Sequence, residues 1–181
     1  VRGRTRCARG AVAVSRGVCF AVSGLAAWQV WDAPGAVPGT VVELRGWDEA
    51  VVGFDGDDPE AVARALQAAV LEATGLHCSV GIGDTKVRAK IATEFGKPRG
   101  VYRLTRDNWM EVMGDRPTTA LWGVGNRIAA RMAGLGISTV RELAESPDGP
   151  LIGELGRNTG PHIGRLGRAA GVDVGGDTAW V

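Results

Sequence analysis

The chain reads as an α+β protein in which a sheet with packed helices, up to about residue 115, is followed by an all-helical module. Three observations predict this. Between residues 40 and 104, short β-branched runs alternate with segments of helical period. Aspartate- and glycine-rich turns separate them. Beyond Gly114 no strand pattern survives, and short helical segments alternate with glycines.

The elements follow in order. Residues 40–45 alternate and are β-branched, which predicts a strand. Gly46-Trp47-Asp48-Glu49 follows, and then an apolar strand over 50–54. Asp58-Pro59-Glu60 opens a helix, with Asp as N-cap, Pro at the first helical position and an acid in the first turn. Val62, Leu66, Ala69, Val70 and Ala73 form its apolar face, and Gly75 ends it. Residues 77–82 predict a third strand. Asp84 or Thr85 caps a second helix reaching to about Phe95. A short strand over 101–104 follows the turn at Gly96 to Gly100. Thr105 or Asp107 starts a helix through Val112. The helical module then reads as segments over 118–121, 126–133, 139–145, 151–158 and 161–170.

The domains predicted from this pattern are 37–115 for the sheet unit and 116–170 for the helical unit, with 171–181 as the start of a linker. Residues 1–36 stand apart, being built mostly from Arg, Gly, Ala, Val and Ser, with Asp32 the one acid. No helical or strand period persists there. They read as a poorly ordered segment, or as residues translated out of frame from GC-rich DNA. A basic arm touching nucleic acid is the other reading of such a composition.

Composition excludes several classes. The formal net charge is +1, so no global field recruits nucleic acid, and contacts would come from local patches. Three cysteines without a CxxC pair and two histidines argue against a zinc site. The sparse, odd cysteine count fits a reducing cytoplasm. No apolar run approaches the roughly 18 residues of a membrane helix. Arginines before residue 17 and an apolar 18–30 loosely mimic a secretory leader, but Ser23, Gly24 and Gln29 interrupt it.

Three constellations carry chemistry. Asp48 and Glu49 lie between two apolar strands. Adjacent carboxylates there are costly unless solvated or metal-bound. Mg²⁺ takes carboxylate oxygen, and phosphoryl-transfer enzymes use such sites to hold two metals. A polar hairpin turn is the plainer reading of the pair alone, and a further carboxylate from a separate strand is usually needed for two-metal coordination.

The second constellation holds every lysine of the protein: Lys86, Lys90 and Lys97. Lys86 and Lys90 share a helix face, and Lys86 lies in the first turn, where backbone N–H groups favour anions. It can reach a triphosphate or a DNA phosphate; a solvated cationic face is the plainer reading. Gly81-Ile82-Gly83 lacks the spacing of either common phosphate loop.

The third runs from Leu121 to Ile137. Gly123 and Gly125 allow a tight turn between helices, and their backbone N–H groups, with that of Val124, can form an anion-binding nest. Leu121, Val124, Ala129, Met132 and Leu135 form the predicted inner face. Arg127 and Arg131 lie one turn apart and can flank a phosphate. The pattern is similar to a helix-hairpin-helix, a sequence-independent binder of DNA backbone; an ordinary αα-corner has the same outline.

Together these features resemble the Y-family translesion DNA polymerases of the DNA polymerase IV type, over residues 37–181. That family has a Ser-x-Asp-Glu-Ala palm hairpin, and Gly46-Trp47-Asp48-Glu49-Ala50 matches it with Gly for Ser. Its Ser-x-Gly-Ile-x-x-Asn-Lys-x-x-Ala-Lys-x-Ala-(Ser/Thr) and Lys-Pro-x-Gly motifs match at Ser79, Gly81, Ile82, Lys86, Ala89, Lys90, Ala92, Thr93, Lys97, Pro98 and Gly100. Thr85 replaces Asn.

The resemblance implies an incomplete palm sheet followed by a helical thumb. It implies Asp48 and Glu49 as catalytic, Mg²⁺-binding carboxylates, with Glu49 assisting at the primer end. Lys86 would contact the nucleotide triphosphate. Lys90, Gly123, Val124, Gly125, Arg127 and Arg131 would contact DNA. The implied partners are primer–template DNA, a deoxynucleoside triphosphate and a sliding clamp reached through a further C-terminal part. The implied reaction is template-directed nucleotidyl transfer.

Departures from the family matter. Its first palm strand carries another metal-binding Asp followed by aromatic residues, and neither is found before Asp48. Fingers and little-finger segments are not recognisable. A palm without its first strand would expose a sheet edge, which invites aggregation. The expectation is therefore a chain that does not synthesise DNA alone, with a non-catalytic DNA-backbone-binding module as the alternative function.

Overall fold

The computed structural model describes residues 18–23, 40–44, 49–54 and 56–168. Five strands form one sheet: β1 (Val18–Ser23), β2 (Thr40–Leu44), β3 (Glu49–Phe54), β4 (Ser79–Gly83) and β5 (Val101–Leu104), in the order β2-β3-β1-β4-β5. β1 is antiparallel to both β3 and β4, and β5 is parallel to β4. The strand expectations at 40–45, 50–54, 77–82 and 101–104 hold to within two residues at each end.

β1 corrects the reading of residues 1–36. Val-Cys-Phe-Ala-Val-Ser pairs on both sides and occupies the middle of the sheet. Its six residues carry no alternation of apolar and polar, so the strand leaves no period-2 signal in the sequence. The exposed edge expected from a missing first strand is likewise filled. The remainder of 1–36 and the predicted linker at 171–181 lie outside the described residues.

Helices cover both faces. α1 (Pro59–Thr74) starts as the sequence indicates: Asp58 Oδ1 accepts from Ala61 N–H at 2.9 Å, and Gly75 ends the helix at φ 70°. Its buried face is Pro59, Ala63, Leu66 and Val70, rotated from the predicted one, with Ala73 exposed. It packs on Val52, Val80 and Ile82.

The opposite face receives α2 (Lys86–Gly96). β-carbons added to Gly81 and Gly83 would lie 2.1 Å from Ala89 O and 2.4 Å from Ala89 N, so backbone meets backbone there. The Gly81-Ile82-Gly83 signal is explained by this approach of helix to strand.

Beyond β5 come α3 (Trp109–Met113), a 3₁₀ turn (Thr118–Ala120), α4 (Asn126–Gly134), α5 (Val140–Glu145), α6 (Asp148–Leu155) and α7 (Thr159–Gly167). α3 begins later than expected because Asn108 spends its side-chain oxygen on Thr105 N–H at 2.8 Å, closing a turn first. α6 begins at Asp148 and stops at Gly156, φ 92°, three residues earlier at each end than its sequence pattern suggests. α5 carries a capping box, with Thr139 and Glu142 exchanging bonds with each other's backbone N–H.

One apolar core joins the two halves. Ile91, Leu104, Trp109 and Met113 pack with Leu121, Met132, Leu143, Leu151 and Ile163. Trp109 Nε1 donates to Gly167 O at 2.9 Å, tying α3 to α7. The sheet unit and the helical unit thus meet along α2 and α3, and side chains on α2 are set against both.

Candidate nucleic-acid interface

Glu49 opens β3, directly opposite Ser23 of β1, and Ser23 in turn lies opposite Ser79 of β4. Directly opposed residues of antiparallel strands share a face. This is the face covered by α2, and Lys90 reaches Glu49 from that helix: Nζ donates to Oε2 at 2.7 Å, with side-chain exposures of 19% and 20%. Asp48, the other predicted carboxylate, lies outside the described residues.

A Mg²⁺ pair needs several oxygen donors converging from separate strands. Among the described residues no cluster of three or more His, Cys, Asp or Glu side chains is arranged for a metal ion. Among the described residues the register sets Ser23 and Ser79 beside Glu49, and the Glu49 carboxylate is already bonded to an ammonium group. The described residues therefore do not fit a two-metal centre.

α2 is seated by its own N-terminus. Thr85 accepts from Arg88 N–H at 3.2 Å, which decides the cap between the two predicted residues. Asp84 instead pairs with the Arg88 guanidinium and accepts from Arg106 N–H at 3.0 Å. Arg88 is 2% exposed and lies 5.9 Å from the centre of the Trp109 ring. Sequence reasoning missed this strut, although Asp84 and Arg88 stand four apart on the helix. Lys86 sits at the first helical position and is half-buried. Lys97 is exposed and pairs with Glu94 at 2.7 Å. Of the predicted cationic surface, Lys90 and Lys97 are thus engaged in ion pairs.

The glycine turn stands between the 3₁₀ turn at Thr118–Ala120 and α4. Gly123 has φ 91°, a conformation that side chains beyond glycine rarely adopt. Gly125 is the N-cap of α4 and offers no side-chain cap. Val124 N–H donates to Leu121 O at 3.0 Å, so it closes the turn and is withdrawn from the predicted nest. The N–H groups of Gly123 and Gly125 have no protein acceptor among the described residues. Leu121, Val124 and Met132 are buried as predicted, whereas Leu135 is 39% exposed and Ile137 takes its place inside. Leu135 follows the last turn of α4 and points away because the chain reverses at Gly136, φ 77°.

Arg127 is exposed at the start of α4. Arg131 is turned to α6, where Nε donates to Glu154 Oε1 at 2.9 Å and the guanidinium also bonds Glu154 O. Trp122, at the turn, is 51% exposed. A cleft of about 660 Å³ lies between this turn and α2, edged by Lys90, Glu94, Phe95, Arg116 and Trp122. Arg116 stands 4.5 Å over the Phe95 ring, which stacks on Tyr102.

Comparison with known proteins gives the geometry its context. Residues 33–94 match the impB/mucB/samB family. DNA polymerase IV 2 of Mycobacterium tuberculosis is 49% identical over 124 residues, covering 67% of this chain and 36% of that protein. This region is homologous to DNA polymerase IV. The DNA polymerase IV of Moorella thermoacetica is 40% identical over 98 residues, 54% of this chain and 24% of its own length. The chain therefore spans about a third or less of these DNA polymerase IV relatives.

The fold agrees. A Dbh ternary complex superposes with a TM-score of 0.67 at 20% identity, over 78% of this chain and 44% of that one. DinB from Sulfolobus solfataricus does so with a TM-score of 0.62 at 21% identity, over 71% and 40%. The DNA polymerase IV homology thus coincides with a mixed α/β arrangement of the Y-family polymerase kind. Among the described residues no helix is long and apolar enough to cross a membrane.

Proposed function

We propose that this chain is the palm-and-thumb portion of a Y-family translesion DNA polymerase, and that its own contribution is to grip primer–template DNA by the backbone. The five-stranded sheet with α1 to α3, β1 included, forms the palm, and the helical unit from residue 116 onward forms the thumb. The observation that carries this reading is the Gly123–Gly125 turn. It presents two N–H groups without protein acceptors among the described residues, at the start of α4 and beside exposed Arg127. A helix start of this kind favours a phosphate. With the 3₁₀ turn before it and α4 after it, the segment acts as a helix-hairpin-helix.

Lys86, at the first position of α2, takes the triphosphate side of the site. The helix start adds its partial positive charge to the ammonium. Arg131 acts indirectly, holding α4 against α6 through Glu154. In an assembled polymerase the reaction is nucleotidyl transfer from a deoxynucleoside triphosphate to a primer end. Mg²⁺ would neutralise charge on the transferring phosphate. Asp48 with carboxylates from outside the described residues would have to hold it. A sliding clamp would be reached through parts beyond this chain, in the cytoplasm.

The 181-residue chain alone is a DNA binder without polymerase activity. Fluorescence anisotropy on a primer–template across a salt series tests the first half. Arg127→Ala should weaken binding and lower the salt slope by about one unit, the loss of one phosphate contact. An unchanged slope removes Arg127 from the interface. Primer extension with Mg²⁺ and all four deoxynucleotides tests the second half, and robust extension overturns it.

A further inference from the structure

We propose that Lys90 is the resident cation of the Glu49 carboxylate, locking the start of β3 to α2, so that Glu49 is a positioning residue and not a metal ligand in this chain. The inference concerns the protein's own packing and stands whether or not the chain grips DNA.

The argument begins with α2, which cannot drift. Its backbone lies against Gly81 and Gly83, with no room for even a β-carbon. That close seat holds Lys90 over the strand end. Its Nζ lies 2.7 Å from Glu49 Oε2, a distance typical of a charge-assisted bond. Exposures of 19% and 20% mean that both groups have given up most of their water. Charges so shielded are compensated by each other, and removing one strands its partner.

A divalent cation would meet poor terms here. It needs oxygen ligands at about 2.1 Å for Mg²⁺, with near-octahedral geometry. Bound to Glu49 Oε2, it would sit within a few ångströms of the ammonium and be repelled. The register places Ser23 and Ser79, both uncharged, on the strands beside Glu49. The tethered ammonium, by contrast, is always at hand.

The test uses the full chain and its Glu49→Gln, Lys90→Met and doubly substituted forms. Mn²⁺ uptake is counted by the loss of the free-ion electron paramagnetic resonance signal, and stability is followed by thermal unfolding. The proposal expects Mn²⁺ uptake that Glu49→Gln leaves unchanged. It expects each single substitution to lower the thermal midpoint by about 4–8 °C, with the double form regaining most of that loss. Stoichiometric Mn²⁺ binding that disappears in Glu49→Gln overturns it. So do single-substitution losses that simply add in the double form.

Discussion

Gly83→Ala tests the seat of α2, on which the placement of Lys86 and Lys90 depends. The added methyl carbon would lie 2.4 Å from Ala89 N, 2.9 Å from Arg88 C and 3.0 Å from Ala89 Cα. All three are backbone atoms, so no side chain can rotate away. Relief requires lifting the helix by roughly an ångström, and that opens the apolar contacts of Ile91 and Ala92 on the same helix. Overpacking of a well-packed core costs about 1–3 kcal/mol, and a rigid backbone clash belongs at the upper end. For a chain of this size, 3 kcal/mol corresponds to a fall of about 6–12 °C in thermal midpoint. Gly96→Ala is the control on the same helix. Its nearest atom would be Val80 O at 3.5 Å, ordinary contact, so replacing a helical glycine should stabilise by about 0.5–1 kcal/mol. Thermal and urea unfolding of both variants decides. A Gly83→Ala midpoint within a degree of the parent would refute the close-approach argument.

Trp109→Phe should cost about 1–3 kcal/mol, because it leaves buried Gly167 O without its donor; urea unfolding measures this. Thr139→Ala removes the α5 cap and should cost about 1 kcal/mol by the same method. Bonds from Ser138 N–H and Thr139 N–H hold the Glu142 carboxyl below its ordinary value near 4.5. A lowered folded-state value makes that contribution complete above the ordinary value and lost as pH falls through the folded one. The stability gap between the parent and Glu142→Ala should therefore shrink on acidification, and a gap independent of pH would refute the bond's role. Burial pushes the Cys78 thiol up to about 11. Iodoacetamide at pH 8 should spare Cys78 in the folded protein and label it after unfolding, as resolved by peptide mass.

What was legible in the sequence is local. The Asp58-Pro59 start of α1, the cap of α2 at Asp84 or Thr85 and the Gly123 turn each depend on residues within a few positions of one another. Side chain and backbone settle such features without the rest of the fold. The family motifs at Asp48–Glu49, at Lys86–Lys90 and at the glycine turn were legible for the same reason, being short and contiguous.

The central strand β1 was not legible, because its six residues carry no alternation and its partners lie some 30 and 60 positions away. Nor were the partners of the charged residues. Lys90 and Arg131 read as free cations for phosphate, and folding brings Glu49 and Glu154 to them across 41 and 23 positions. By itself, then, the sequence determined the capped starts of α1 and α2, the glycine turns and which surface chemistry the chain carries. Only the tertiary structure decided which charges remain available, because an ion pair depends on distance in space, and packing α2 on β4 at backbone contact sets that distance.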